Sequence, residues 1–379
     1  MSDQVNVPAD AAASGGLQAI VEPLLAWYDR HRRILPWREQ PTAYRVWVSE
    51  IMLQQTRVEA VKPYYEQFMR ALPDVETLAC ADEETLLKLW EGLGYYNRVR
   101  NLQKAARQIM EVHGGRIPDT YEQLLSLSGI GSYTAGAVAS IAYGKPYPAV
   151  DGNVLRVLAR IRKDERLISE QKVKQAVERE LQDVMPDGRP GDFNQAMMEI
   201  GACVCTPSGA PDCGSCPLAD LCLAHRDGVE TAYPKKASGK ARAVEQKTVL
   251  VIRDEDRVAL RRRPAQGLLA GMYEFPWLEG HCTQEEVADY LNRIGIKAIR
   301  ILPLQDAKHI FTHKEWHMKG YGIQTDELEP RARSAETQDW IYIRSEETRH
   351  KYPIPTAFAA YTQLLKIKLG KENWKEEQE

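Results

Sequence analysis

The stretch LSGIGSYTAGAVASIAYGKPYPAVDGNV, residues 127–154, decides how this chain is read. Gly129-Ile130-Gly131 opens a run in which Thr134, Ala137, Val138 and Ile141 recur at helical spacing. A Pro-rich break follows, then Val150-Asp151-Gly152 and a second apolar stripe, Val154, Leu155 and Leu158. A Gly-x-Gly turn at a helix start lets the backbone approach a phosphate, and the helix N–H groups offer partial positive charge. The plainer alternative is a turn between two helices. A dinucleotide fingerprint needs G-x-G-x-x-G after a strand, whereas G-x-G-x-x-x-x-G follows a helical segment here, and the Gly-Lys-Ser/Thr of a P-loop is absent. Asp151 reads either as an ordinary N-cap or as a carboxylate set to stabilise developing positive charge.

Outward from this stretch, residues 17–228 read as a helical domain. Val46, Trp47, Glu50, Ile51 and Gln54 keep helical spacing, as do Val173, Ala176, Val177 and Leu181. Glu50 therefore shares a stripe with apolar residues. A carboxyl so placed is raised in pKa and can serve as a general acid near neutral pH, or it is a boundary glutamate paired with an arginine. No strand–helix alternation occurs here, which argues against a parallel sheet. Residues 229–246, rich in small and basic side chains, form the expected linker. Beyond it, KTVLVIRD, RVALRRR, HIFTHKEWHMKGYGI and DWIYIRS read as strands, and Thr283 to Ile294 and Pro355 to Leu369 as helices. Residues 247–369 are thus expected to be an α+β domain. Residues 1–16 and 370–379 read as tails.

The bulk numbers agree with that division. A chain of 379 residues suits two or three cores. At 44% hydrophobic and 27% charged it has the composition of a soluble globular protein. No apolar run is long enough to span a bilayer, and the N-terminus has no signal-peptide pattern, so an intracellular protein with no membrane partner is expected. A net charge of −3 argues against binding DNA through charge alone, while leaving room for local basic patches.

Of seven cysteines, four form Cys205-x7-Cys213-x2-Cys216-x5-Cys222. Four thiolates in so short a span can close on one metal or cluster. A zinc ribbon shows two C-x2-C knuckles and this chain has one, so the spacing fits an iron–sulfur cluster better; zinc or free thiols are the alternatives, and Cys203 can stand in for Cys205. Tyr95 and Tyr96 lie among Arg98, Arg100, Lys104 and Arg107, which suits either stacking on bases or a core aromatic pair. His309, His313 and His317 fall in a segment read as strand, where metal ligation is not expected.

These blocks together resemble the helix–hairpin–helix DNA glycosylase superfamily, and more closely its adenine DNA glycosylase (MutY) family. LPWR at 35–38, WVSEIMLQQTRV at 47–58, GLGYYNRVRNL at 92–102, the opening stretch, and FNQAMMEIGACVC at 193–205 occur in the family's order. The resemblance covers residues 20 to 367. It implies an all-α glycosylase domain, comprising a six-helix barrel module and a [4Fe-4S] cluster module, followed by a Nudix-like α+β domain that reads 8-oxoguanine.

It also implies a reaction: adenine opposite 8-oxoguanine or guanine in duplex DNA is flipped out and released by cleavage of its N-glycosidic bond, in base excision repair. Glu50 matches the residue that protonates the leaving adenine. Asp151 matches the carboxylate that stabilises the oxocarbenium-like sugar. Leu35, Trp37, Arg38, Leu53 and Gln195 match the adenine pocket. Gln55 and Tyr95 match residues inserted into the duplex, with Gly129, Gly131 and Asn153 also at the DNA. Phe311, Thr312 and His313 match the 8-oxoguanine loop, with threonine where many relatives have serine. Cys205, Cys213, Cys216 and Cys222 match the cluster ligands, although seven residues separate the first two where the family usually has six.

Relatives that also cut the strand carry a lysine where this chain has Tyr133, so a monofunctional enzyme is expected, with Tyr133 orienting groups at the sugar. The Nudix hydrolase signature is missing, and pyrophosphate hydrolysis is not expected. A monomer in the cytoplasm, on nucleoid DNA if the source is bacterial, completes the expectation. The competing readings are a thymine-mismatch or oxidised-pyrimidine glycosylase on the same fold, and a mismatch-binding protein with no catalysis.

Overall fold

The computed structural model describes residues 16–237, 241–255, 257–326, 328 and 335–374. Residues 1–15 and 375–379 of the two expected tails lie outside the described residues. The chain divides into two compact units, residues 1–79 with 101–238, and residues 80–100 with 239–379.

The first unit is helical. One of its cores joins Leu24, Trp27 and Tyr28 of the helix Val21–His31 to Val154 and Leu158 of Gly152–Arg162, and to Phe193, Met197 and Ile200 of Pro190–Cys203. Each fully buried side chain of this size contributes about 1.5–3 kcal/mol. The helix Ala43–Leu53 starts where the Thr42 hydroxyl accepts the Arg45 N–H at 3.3 Å. Trp47, Val48 and Met52 on this helix are buried, and so is Glu50.

The 127–154 stretch folds as helix, turn, helix. After Tyr121–Leu125 the chain turns and re-enters a helix over Ser132–Ala137, which widens into a π-turn at Val138–Ala142. Gly129 has φ +75°, and a Cβ there would lie 2.6 Å from Asn101 Cβ, so both conformation and space demand glycine. At Gly136 a Cβ would meet the Pro148 carbonyl at 2.1 Å. The Pro-rich segment therefore lies directly against the helix. Asn194, buried, holds that segment from the other side: it accepts the Ala149 N–H at 2.9 Å and donates to Ser140 Oγ at 2.7 Å and the Tyr147 carbonyl at 2.8 Å.

Among the described residues of the second unit, seven strands make one sheet: β1 Ala243–Arg253, β2 Arg257–Arg262, β3 Tyr273–Glu274, β4 Trp277–Glu279, β5 Ala298–Ile310, β6 Lys314–Thr325 and β7 Trp340–Arg344. The order is β3-β2-β1-β6-β5, with β4 on β1 and β7 on β2. β1 and β6 run parallel; every other pairing is antiparallel. The helix Gln284–Arg293, started by the Thr283–Glu286 capping box, packs on one face through Val287 and Leu291. Phe358 and Tyr361 cover the other.

Three sequence expectations are refined here. Residues 309–323 are not one strand, because the chain turns at 311–313 between β5 and β6; His309, His313 and His317 therefore sit in a strand, a turn and the next strand. Residues 356–365 form short 3₁₀ and α turns instead of one helix. β1 begins at Ala243, inside the expected linker.

Residues 80–100 have helical sequence yet belong with the sheet unit, and their hydrogen bonds show why. Glu91, fully buried, accepts the Ile354 N–H at 2.7 Å, the Gly370 N–H at 2.8 Å and the Lys88 ammonium at 2.8 Å. Glu84 accepts the Tyr352 N–H at 3.0 Å.

Candidate active site

Three parts of the chain converge in the helical unit on two carboxyls. Glu50 comes from the middle of Ala43–Leu53, Tyr133 from the first turn after Gly131, and Asp151 from the N-cap of Gly152–Arg162. The Tyr133 hydroxyl donates to Glu50 Oε2 and lies 3.5 Å from the Met198 sulfur. Burial pushes the Glu50 carboxyl up to about 7; the Tyr133 hydrogen bond and Arg38 oppose the rise, and Asp151 adds to it.

Asp151 has more donors. It accepts the Val154 N–H at 2.8 Å and the Asn153 amide at 2.7 Å, and so caps its helix. Burial raises its pKa as well, against these two hydrogen bonds and the charge of Arg156. Asp151 has two donors that favour its anion where Glu50 has one, so of the two carboxyls Glu50 is the better placed to carry a proton. The pair can thus supply an acid and an anion at the same pH. Asn153 is itself fixed, since Arg156 donates to its Oδ1 at 2.8 Å and to the carbonyls of Gly201 at 2.8 Å and Cys205 at 2.9 Å.

Beside Glu50, the helix Pro190–Cys203 presents Gln195 and Glu199, one turn apart on one face. Glu199 is 1% exposed. It accepts the Arg33 N–H at 3.0 Å, Arg33 Nε at 2.7 Å and Nη2 at 3.0 Å, and Arg38 Nη2 at 2.9 Å. Burial alone would raise this carboxyl, but the two guanidinium groups outweigh it and hold it at about 2. Arg38 also donates from Nε to Gln195 Oε1 at 2.9 Å. Leu35, Arg38 and Gln195 line a cavity of about 470 Å³ together with Tyr28, Arg33 and Gly191. Glu50, Tyr133, Asp151, Trp37 and Leu53 are not part of its lining: Trp37 is buried edge-on against Tyr65, and Leu53 is half-buried. Sequence reading missed Arg33 and Glu199. The i, i+4 spacing of Gln195 and Glu199 was the available signal; nothing local pointed to Arg33.

The four cysteines meet. Cys205, Cys213, Cys216 and Cys222 line one small pocket whose wall includes Val157, Ile161, Ile200 and Leu218. Cys203 is exposed and does not line that pocket, which settles which of the two faces it. Arg160 Nη1 lies 3.1 Å from Cys205 Sγ. Four sulfur donors around an apolar hollow, with a guanidinium on one of them, form a donor set that fits a thiolate-held cluster. Cys213, His225 and Glu230 also have ligand atoms close together, and Glu230 already accounts for them by bonding both partners.

The remaining expected residues are surface features. Gln55 and Tyr95 are exposed, and both have left-handed backbone, φ 57° and 50°. Gly131 is the exposed N-cap of Ser132–Ala137. In the sheet unit, Phe311, Thr312 and His313 form the β5–β6 turn. Phe311 packs on Trp316 with ring centroids 4.8 Å apart, and Thr312 Oγ1 is 3.2 Å from the Tyr95 hydroxyl.

A family model described as HhH-GPD superfamily base excision DNA repair protein matches residues 48–185, and one described as NUDIX domain matches residues 248–364. The chain is 37% identical over 366 residues to an adenine DNA glycosylase of Mus musculus, covering 80% of this chain and 70% of that protein. It is 32% identical over 423 residues to an adenine DNA glycosylase of Schizosaccharomyces pombe, covering 92% and 90%. Among solved structures it is similar to a thermostable thymine-DNA glycosylase, at 28% identity and a TM-score of 0.49, covering 55% of this chain and 96% of that one.

Proposed function

The chain belongs to the adenine DNA glycosylase family, a hydrolase that excises adenine from DNA in base excision repair, and on that premise we propose how its residues do so and on which substrate. The substrate is duplex DNA with adenine opposite 8-oxoguanine or guanine. Leu35, Arg38 and Gln195 contact the adenine, which reaches in from the cavity they line toward Glu50. Glu50 gives its proton to a ring nitrogen of adenine as the N-glycosidic bond lengthens, so the base leaves neutral. Asp151, anionic, faces the positive charge that grows on the sugar. Water completes the hydrolysis. Tyr133 orients Glu50 and offers no amine for a Schiff base, so strand cleavage does not accompany base release.

The observation that carries this reading is the pairing of two neighbouring carboxyls, Glu50 buried and Asp151 half-buried, with unequal donors. Gly129 and Gly131 bring the backbone to a phosphate, Asn153 also contacts the DNA, and Gln55 and Tyr95 enter the duplex. Phe311, Thr312 and His313 read the base opposite adenine. Cys205, Cys213, Cys216 and Cys222 would hold a [4Fe-4S] cluster. When bound, it supplies covalent cross-links that fix the 205–222 loop, and through the Cys205 carbonyl the loop meets Arg156, Asn153 and Asp151. The enzyme acts as a monomer, in the cytoplasm on nucleoid DNA if the source is bacterial.

The test is single-turnover release of adenine from a duplex with A opposite 8-oxoguanine, alongside A opposite guanine and a T-mismatch control. The native protein is expected to release adenine alone, and Glu50→Gln and Asp151→Asn to lose about 10³-fold in rate. Full-rate release by either variant contradicts the mechanism; thymine release contradicts the substrate.

A further inference from the structure

The four side chains Arg33, Arg38, Gln195 and Glu199 form a closed clasp whose only anion is Glu199. Two guanidinium groups converge on that one carboxylate, so the clasp carries a net charge of +1 beside the acid–base pair. Arg38 is its pivot. It is held by Glu199 through Nη2, by the Arg33 carbonyl at 3.1 Å through Nη1, and by Gln195 through Nε. Its guanidinium also stands 5.6 Å from the Tyr28 ring centroid. Each of the three Arg38 guanidinium nitrogens therefore has a partner.

The charged and titratable groups that act on Glu50 are Tyr133 from the helix after Gly131, Asp151 from the next helix N-cap, and Arg38. Tyr133 and Asp151 are accounted for by the mechanism. Arg38 works against it, because a cation near Glu50 favours the carboxylate and strips the acid of its proton. The opposing charge that limits this effect is Glu199. The same clasp fixes Gln195: with Oε1 taken by Arg38, its amide N–H groups are what remains to address the cavity it lines.

We propose that Glu199 is a positioning residue for adenine release: it pins Arg38 and offsets its charge, so that Glu50 keeps its proton and Gln195 presents N–H donors to the base. The proposal rests on Glu50 being the acid. It predicts that the chemistry depends on a residue four positions from Gln195 that donates nothing to the substrate.

The experiment is the pH profile of single-turnover adenine release by the full-length protein, on A opposite 8-oxoguanine. Glu199→Gln raises the clasp to +2 and moves the alkaline limb to lower pH by roughly half a unit or more. Glu199→Asp, which keeps the charge, restores the limb toward its native position. Arg38→Gln leaves Glu199 paired with Arg33, removes the cation nearest Glu50, and moves the limb to higher pH. These opposite signs do not depend on the fold of any one variant, since Arg38→Gln remains informative if Glu199→Gln does not fold. Limbs that overlay the native one in both neutral variants overturn the proposal, as does a shift of the same sign in both. Failure of the native protein to release adenine would overturn the functional reading instead.

Discussion

Glu50 and Glu199 sit in two regions of the same helical unit and are both almost fully buried, at 5% and 1% exposure. One is pushed up to about 7 and the other is held at about 2. Burial is the leading influence on both and acts in the same direction, so it cannot be what separates them. The partners separate them. Glu199 receives two guanidinium groups and a backbone N–H. Glu50 receives one phenol and faces another carboxyl. A buried carboxyl surrounded by donors becomes a structural anion, and one left with a single neutral donor beside an anion becomes an acid.

Each side of that contrast makes a prediction. Glu199→Ala leaves two guanidinium groups without their anion, and a loss of about 3–5 kcal/mol in unfolding free energy is expected. A melting temperature unchanged from the native protein would place Glu199 outside the core of the site. Glu50→Gln has the opposite sign. The Glu50 pKa in the fold lies above the ordinary carboxyl value of 4.5. Below that value both the folded and the unfolded chain carry the proton, and the residue costs nothing. As pH rises from 4.5 to about 7, the unfolded chain gives up this proton while the folded one keeps it, so stability is lost across that window and levels off above 7. The neutral glutamine should therefore match the native protein at pH 4 and exceed it at pH 8, by on the order of 3 kcal/mol. Equal stability at both pH values would mean Glu50 titrates normally. The smallest effect belongs to Tyr133→Phe. Removing the phenol takes away a donor that favours the Glu50 carboxylate, so the alkaline limb of adenine release should move to higher pH by about one unit; an unmoved or lowered limb would show that the hydrogen bond is not made in solution.

The sequence made Glu50 legible because its stripe, Val46, Trp47 and Ile51, is local and periodic. The four cysteines were legible because their spacing is local too, and the change from helical to alternating period marked the sheet unit. Glu199 was not legible as an ion-pair centre, because Arg33 lies 166 residues away and no periodicity links them. The same reason hid the place of residues 80–100: their helical pattern gave no hint that Glu91 bonds backbone groups at 354 and 370. The choice between Cys203 and Cys205 also needed the fold, since Cys203 ends the helix, Cys205 lies just past it, and of the two Cys205 lines the pocket. Among the pocket residues, Trp37 shows the limit of matching by position alone, because its ring is spent on Tyr65.

The most direct measurement is the native pH–rate profile for adenine release, under single turnover at saturating enzyme. A buried Glu50 acting as the acid predicts a rate that falls tenfold per unit as pH rises beyond about 7. A rate that stays level to pH 9 would contradict it, because no protonated Glu50 would then be needed for the base to leave.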